Sequence, residues 1–288
     1  MAIKILLQTT IPATDDDWSI ARFGMLAGFL RAQTDERGRP IFSVTARDRD
    51  SPDAIDPVLA ALDDRDFDEM WLFAVDTGGG LKPEECQAIS RFRRGSRGVL
   101  VTRDHMDLGS SVCTLDGVGL AHQFHTKNLD ARDPLERDDP YTLSIDWPNF
   151  HSGANGDFQV IEVVGDTHPV LADAASPTGA VRYLPSHPHE GAVIAPANQD
   201  ARVIARGRSR ATGRAFNLAV AFEGERGRGR AIAQSSFHHF ADYNWDPRTG
   251  CPSFVTEPPG DAMLREPAAL ASVQRYVRNV AIWLAGPR

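Results

Sequence analysis

One stretch of the sequence limits the possible folds more than any other, the segment from Glu69 to Val112, EMWLFAVDTGGGLKPEECQAISRFRRGSRGVLVTRDHMDLGSSV. Met70 to Val75 is a short, nearly unbroken apolar run, the pattern of a parallel strand buried on both faces. Gly78, Gly79 and Gly80 end it, and three glycines let backbone amides approach a ligand closely. Pro83, Glu84 and Glu85 then open a helix, with the acids beside its positive end. Ile89 and Phe92 share one face, and Gly95 is a natural stop. Gly98 to Thr102 reads as a second buried strand, followed directly by Arg103, Asp104 and His105, with a further helix expected after the turn. Open α/β sheets place their chemistry just past the ends of such strands.

The flanking sequence extends the same alternation. Ile3 to Leu7 and Ile41 to Ala46 read as strands. A first helix carries Ile20, Phe23, Met25, Leu26, Phe29 and Leu30, with an aspartate expected to cap its start, and a second starts at Ser51-Pro52-Asp53 and carries Ile55, Val58, Leu59 and Leu62. Strands alternating with amphipathic helices imply right-handed crossovers and a parallel sheet. Beyond Val112 the pattern loosens, and residues 114–157 read as an insertion or lid. Further strands are expected at Phe158 to Val164, Val181 to Leu184 and Ala192 to Ala195. Ala201 to Ala205 and Phe216 to Phe222 form an expected antiparallel hairpin. A last core strand, Ala231 to Ser235, runs into His238 and His239, and a final helix spans Pro267 to Leu284. No repeat or linker divides the 288 residues, so one domain over 1–288 is expected.

Composition excludes several functions. A net charge of −8 argues against general binding of nucleic acid. No apolar run reaches the roughly 18 residues that would cross a membrane. Three scattered cysteines fit a reducing compartment, and the cytoplasm is the expected location.

The strand, glycine turn, helix and GVLVT strand, with the later HPVL and GRGRAIAQSSFHH segments, resemble the ThuA-like branch of the class I glutamine amidotransferase-like superfamily. The resemblance implies a flavodoxin-like three-layer α/β/α sandwich with a mainly parallel central sheet and an added β-hairpin. It also implies a site at the carboxyl ends of the central strands and a link to sugar utilisation, without fixing a reaction. Glutamine amidotransferases carry a nucleophilic cysteine in the turn after the GVLVT-like strand. Here that turn holds Arg103, Asp104, His105 and Met106, with Cys113 well downstream, so glutaminase activity is not expected.

His105, and His238 or His239, are the candidate proton-transfer groups, because imidazole titrates near neutral pH. The resemblance places the strand-end histidine opposite the turn of His105, and strand parity decides which of His238 and His239 faces it. Gly78 and Gly79 are candidate anion-stabilising amides. Asp17 and Trp18, in the first strand-to-helix loop, suit a polyol or sugar through carboxylate acceptance and indole stacking. Asp104 and Glu190 are further substrate-binding candidates. In an extended His187-Pro188-His189-Glu190, both imidazoles project to one side, as two ligands of one metal must. These residues support three readings: a protein acting on a small polar metabolite, a carbohydrate derivative among the candidates, without metal; a non-catalytic binding or interaction protein; and a metal-dependent hydrolase using His187 and His189. No cofactor is required, though a divalent metal would fit. The expected partner is a small molecule, with homo-oligomerisation left open.

Overall fold

A computed structural model describes residues 1–62, 65–128, 138, 142–224 and 227–286. Among the described residues, ten strands are formed: β1 (Ile3–Pro12), β2 (Phe42–Arg49), β3 (Glu69–Phe73), β4 (Gly98–Thr102), β5 (Phe158–Val160), β6 (Glu162–Val163), β7 (Tyr183–Pro185), β8 (Ala201–Arg208), β9 (Ala215–Phe222) and β10 (Ala231–Gln234). Eight of them make one sheet in the order β2-β1-β3-β4-β10-β9-β8-β6, while β5 and β7 pair separately. The first five positions are mutually parallel, and β9, β8 and β6 extend the sheet antiparallel.

Alternation along the strands divides the core in two. Ile5, Leu7, Trp71, Phe73, Leu100 and Ile232 face α1 (Gly24–Arg31) and the long C-terminal helix, α6 (Pro267–Leu284). Leu6, Met70, Leu72, Val99, Val101 and Ala233 face the other way, onto α2 (Pro57–Ala60) and α3 (Pro83–Arg94). Strands covered on both faces need apolar residues at every position, which is why β3 and β4 read as continuous apolar runs. The architecture is the expected three-layer sandwich, with the expected hairpin formed by β8 and β9. Two further short helices, α4 (Asp242–Trp245) and α5 (Ala262–Arg265), lie between β10 and α6.

Four local expectations need correction. The first helix begins as a 3₁₀ turn at Ile20–Phe23, and no adjacent aspartate caps it. Its amides are served by distant carboxylates: Asp48 accepts from Ile20 N, and Asp242 accepts from Gly24 N and Met25 N. The second helix is one turn long and starts after Asp56, whose carboxylate accepts from Val58 N and Leu59 N; Ile55 is exposed. The residues after Asp104 form short 3₁₀ turns at Ser110–Thr114 and Val118–Ala121, with Gly109 at positive φ, rather than a full helix. Ala192 to Ala195 contributes a single bridge, Val193 with His122, and no strand. The expected insertion at 114–157 falls partly outside the described residues.

Two glycines provide a matched test of packing. A Cβ at Gly229 would sit 1.7 Å from the Arg97 carbonyl oxygen, whereas one at Gly28, inside α1, meets nothing within 4 Å. Gly229→Ala is expected to lower unfolding free energy by about 1–3 kcal/mol. Gly28→Ala is expected to raise it by about 0.5–1 kcal/mol. Urea unfolding of the two variants reads both signs.

Candidate metal centre

Adjacent parallel strands β4 and β10 end side by side, and the turns that follow them carry the titratable residues into one place. Asp104 leaves the end of β4, while His238 lies in a 3₁₀ turn just past β10. A third segment, 186–190, follows β7 and crosses over the same edge; its Ser186 N donates to Asp157 O, and its Glu190 exchanges backbone bonds with Phe150. The result is a buried cluster. One Asp104 oxygen, Oδ2, lies 3.6 Å from Nε2 of each of His105, His187 and His238.

Hydrogen bonding on the far side of each ring sets its tautomer. His187 Nδ1 lies 2.8 Å from Asn155 Oδ1, which also accepts from Asn244 Nδ2. His238 Nδ1 lies 3.1 Å from Asn244 Oδ1. Both amide oxygens can only accept, so both histidines carry a proton on Nδ1 and present Nε2 to Asp104. Ligand atoms of Asp104, His187 and His238 all lie within 4.8 Å of one another. Around tetrahedral zinc, with bonds of about 2.0–2.1 Å, ligand atoms sit roughly 3.4 Å apart. The 3.6 Å spacings therefore need to contract by only a few tenths of an ångström. The His187 and His238 rings stack nearly parallel, with centroids 3.5 Å apart and planes 14° apart, so the rings must turn for both Nε2 atoms to meet one ion.

The electrostatics agree. Burial pushes the Asp104 carboxyl upward, but His187, His105 and His238 outweigh it and hold the group well below the usual carboxylate range. Asp104 Oδ1 accepts from Ser236 Oγ, which fixes the carboxylate plane. His187 is driven well down by burial first and by His238 second, and so is neutral, as a metal ligand must be. Burial holds His105 at about 4, partly offset by Asp104.

The other candidates divide. His189 is edge-on to both His105 and His187, at ring separations of 5.8 and 5.7 Å, but its Nε2 lies 3.1 Å from Glu257. The three-atom cluster joins His187 to Asp104 and His238, with His189 outside it. His239 turns away from Asp104 into a closed network with Gln234 Nε2 at 2.6 Å and Glu190 Oε2 at 3.4 Å, and Tyr276 Oη donates to Gln234 Oε1. Glu190 is wholly buried and accepts from Ser152 Oγ and Gln159 Nε2, so it is braced inside the fold rather than presented to a substrate. Trp18 is 5% exposed, with its ring edge-on to His238 at 4.7 Å. It forms an inner wall and has no open face for a sugar. Asp17 is half-buried and accepts from Trp18 N. Gly78 N donates to Asp76 Oδ1, and Gly78 lines a separate cavity of about 590 Å³ beside Ser110 and Lys127. Its amide is thus engaged elsewhere and is not aimed at the histidines. Cys113 lines that same cavity.

Asn155, Asn244, Ser152 and Glu257 are the contributors that sequence reasoning missed. Asn155, Ser152 and Glu257 reach their histidines from 32, 35 and 68 residues away, and no periodicity marks them. Asn244 left the one usable signal, a polar residue inside the otherwise buried FADYNW segment after the two histidines.

Buried neutral histidines also make the fold acid-sensitive. His122 is held at about 3 by burial, with Arg103 adding to the effect, and His168 at about 4 by burial against the pull of Glu223. Both folded values lie below the unfolded value near 6.5, so the unfolded chain binds more protons and stability falls as pH drops below about 6.5 toward 3. The loss is on the order of 3 kcal/mol for His122 and smaller for His168, whose partner Glu223 is partly exposed. Denaturant melts from pH 7 to pH 4 check this, and His122→Leu should flatten the slope.

No protein-family model matches this sequence. No curated protein matches it either. Among solved structures, a protein from Parabacteroides merdae described as ThuA-like is similar at a TM-score of 0.50 and 14% identity, over 99% of this chain and 91% of that one. The glutaminase domain of Trypanosoma brucei CTPS, with acivicin bound, aligns at a TM-score of 0.45 and 14% identity, over 94% of each chain. A Thermoplasma acidophilum protein described as a GMP synthase protein aligns at 0.42 and 10%, over 98% of this chain and 96% of that one. The last two likenesses are too loose to support a conclusion. The first shows a shared fold. Fold and site together define a flavodoxin-like α/β protein with an Asp–His cluster where β4 and β10 end. Among the described residues, no helix is long and apolar enough to cross a membrane.

Proposed function

We propose that this chain is a ThuA-like protein that holds one divalent transition metal on Asp104, His187 and His238 and uses it to hydrolyse a small polar metabolite, a carbohydrate derivative being the favoured class. The observation that supports this reading is the clustering of the three buried ligand atoms within 4.8 Å of one another, with the Nδ1 proton of each imidazole held on the far side by an asparagine oxygen. Outer partners of this kind are what metal-binding histidines require. Two histidines and one carboxylate leave coordination positions open, as catalytic sites do. A metal bound there would supply Lewis acidity and an activated water.

The chain's own residues supply the rest. His105, at the edge of the three ligands and the least buried of the four histidines near Asp104, is placed to move a proton at the reacting group. Glu257 orients His189 beside it through the 3.1 Å contact. Glutaminase chemistry is no part of this reading, because Asp104 and His105 occupy the turn where an amidotransferase carries its cysteine. The carbohydrate preference rests on the ThuA-like resemblance.

The test is the metal content of tag-free protein, wild type and His187→Ala, by plasma mass spectrometry. The reading expects about one ion per wild-type chain and almost none in the variant. Metal-free wild type that takes up no zinc or cobalt on titration would overturn it in favour of metal-independent acid–base chemistry. For the reaction, metal-loaded wild type should release reducing sugar from a glycoside panel, and His105→Gln should lose turnover while keeping its metal. Turnover unchanged in that variant would remove His105 from the mechanism.

A further inference from the structure

Next to the Asp–His cluster, on the other side of the chain, lies a second group of buried polar side chains that this function does not use. Arg103 is fully buried, and its Nε, Nη1 and Nη2 have no hydrogen-bond partner among the described residues. Its guanidinium lies 4.3 Å over the Phe124 ring, which offers a π face but no lone pair. An arginine guanidinium keeps its charge throughout the neutral pH range. The two nearest carboxylates are committed elsewhere. Asp104 takes Ser236 and faces the histidines, while Asp107 accepts from Thr126 N and Oγ1.

Two other fully buried side chains share this condition. Both ring nitrogens of His122 and both amide atoms of Asn149 are unpartnered among the described residues. The topology brings all three to the segment 190–193. A Cβ on Gly191 would be 3.1 Å from Arg103 Nη1, His122 bridges to Val193, and Phe150, next to Asn149, exchanges backbone hydrogen bonds with Glu190. Buried polar groups are rarely left unpaired, and a buried charge needs a counter-charge. Water could satisfy the amide and the ring, but it cannot neutralise the guanidinium.

We infer that Arg103, His122 and Asn149 form an internal site for a small monoanion of halide size. The guanidinium supplies charge and N–H donors, and the Asn149 amide and the neutral His122 ring supply further donors. Complete enclosure of all three residues selects a small inorganic ion over a carboxylate metabolite. This inference is independent of the metal reading.

The test uses wild-type protein in bromide. Crystals grown or soaked in bromide should show an anomalous peak within contact distance of Arg103. At constant ionic strength, replacing gluconate by chloride should raise Tm by about 2–4 °C, the shift expected for a modest stabilisation in a chain of this size. Arg103→Met, which keeps the length of the side chain without its charge, should abolish the chloride response and lose nothing in gluconate. No anomalous peak in wild type, together with a Tm that ignores chloride, would overturn the site and leave buried water as the partner of these groups. A chloride response retained in Arg103→Met would also overturn it.

Discussion

Adding zinc or cobalt to metal-free protein should raise its unfolding free energy, by about 2.7 kcal/mol when the free ion stands at one hundred times its Kd. A chelator should remove the gain. The reason lies in the ligand atoms themselves. Without a cation, the Asp104 carboxylate faces imidazole nitrogens at 3.6 Å, from the two histidines whose protons are held by Asn155 and Asn244 on the opposite side. Binding joins those atoms to one ion, and the unfolded chain has no preformed site to compete. Asp104→Asn removes the charge but keeps the shape, so it should abolish the metal-dependent gain. His239→Gln should leave the gain intact, because His239 faces Glu190 and Gln234 instead. Thermal or urea melts with and without metal check all three outcomes. Equal stabilisation of wild type and Asp104→Asn would place the metal elsewhere.

Glu190→Ala should cost about 3–5 kcal/mol, the largest loss expected from any single side chain near the site. Its carboxylate is wholly buried and gathers Ser152 Oγ, Gln159 Nε2, Ser235 Oγ and His239 Nε2. Removing it strands those donors in a dry interior. The loss should reach the cluster as well, because the same Ser152 Oγ that donates to Glu190 accepts from the His187 amide. Glu190→Gln keeps the volume and one acceptor oxygen, and should cost less than half as much. Urea unfolding of the two variants separates loss of the network from loss of volume. Near-equal costs would show that the charge, rather than the acceptor geometry, sustains the network.

The sheet was legible because its strands declare themselves. Met70 to Val75 and Gly98 to Thr102 are covered on both faces and must be apolar throughout, and Ala201–Arg208 with Ala215–Phe222 carries an evident turn at Thr212 and Gly213. The helices next to the site were less so. A single turn capped by Asp56 and a 3₁₀ entry served by Asp48 and Asp242 depend on carboxylates brought in by the fold. At the site, the turn after β4 pointed to Asp104 and His105, and the end of β10 pointed to His238 or His239. The HPHE tetrapeptide pointed to His187. What sequence could not show was how these segments meet. Alternation along 187–190 suggested that His187 and His189 act together, whereas Glu257, which reaches His189 from 68 residues away, draws that ring aside. Glu190 looked available to a substrate for the same reason, since nothing in the sequence reveals that Ser152, Gln159 and Ser235 enclose it.

The most direct test of the metal centre is anomalous diffraction from crystals soaked in zinc, with data collected on both sides of the zinc absorption edge. The geometry predicts a peak, present above the edge and absent below it, at about 2.0–2.1 Å from Asp104 Oδ2, His187 Nε2 and His238 Nε2 together. A difference map with no peak among those three atoms in fully soaked crystals would contradict it.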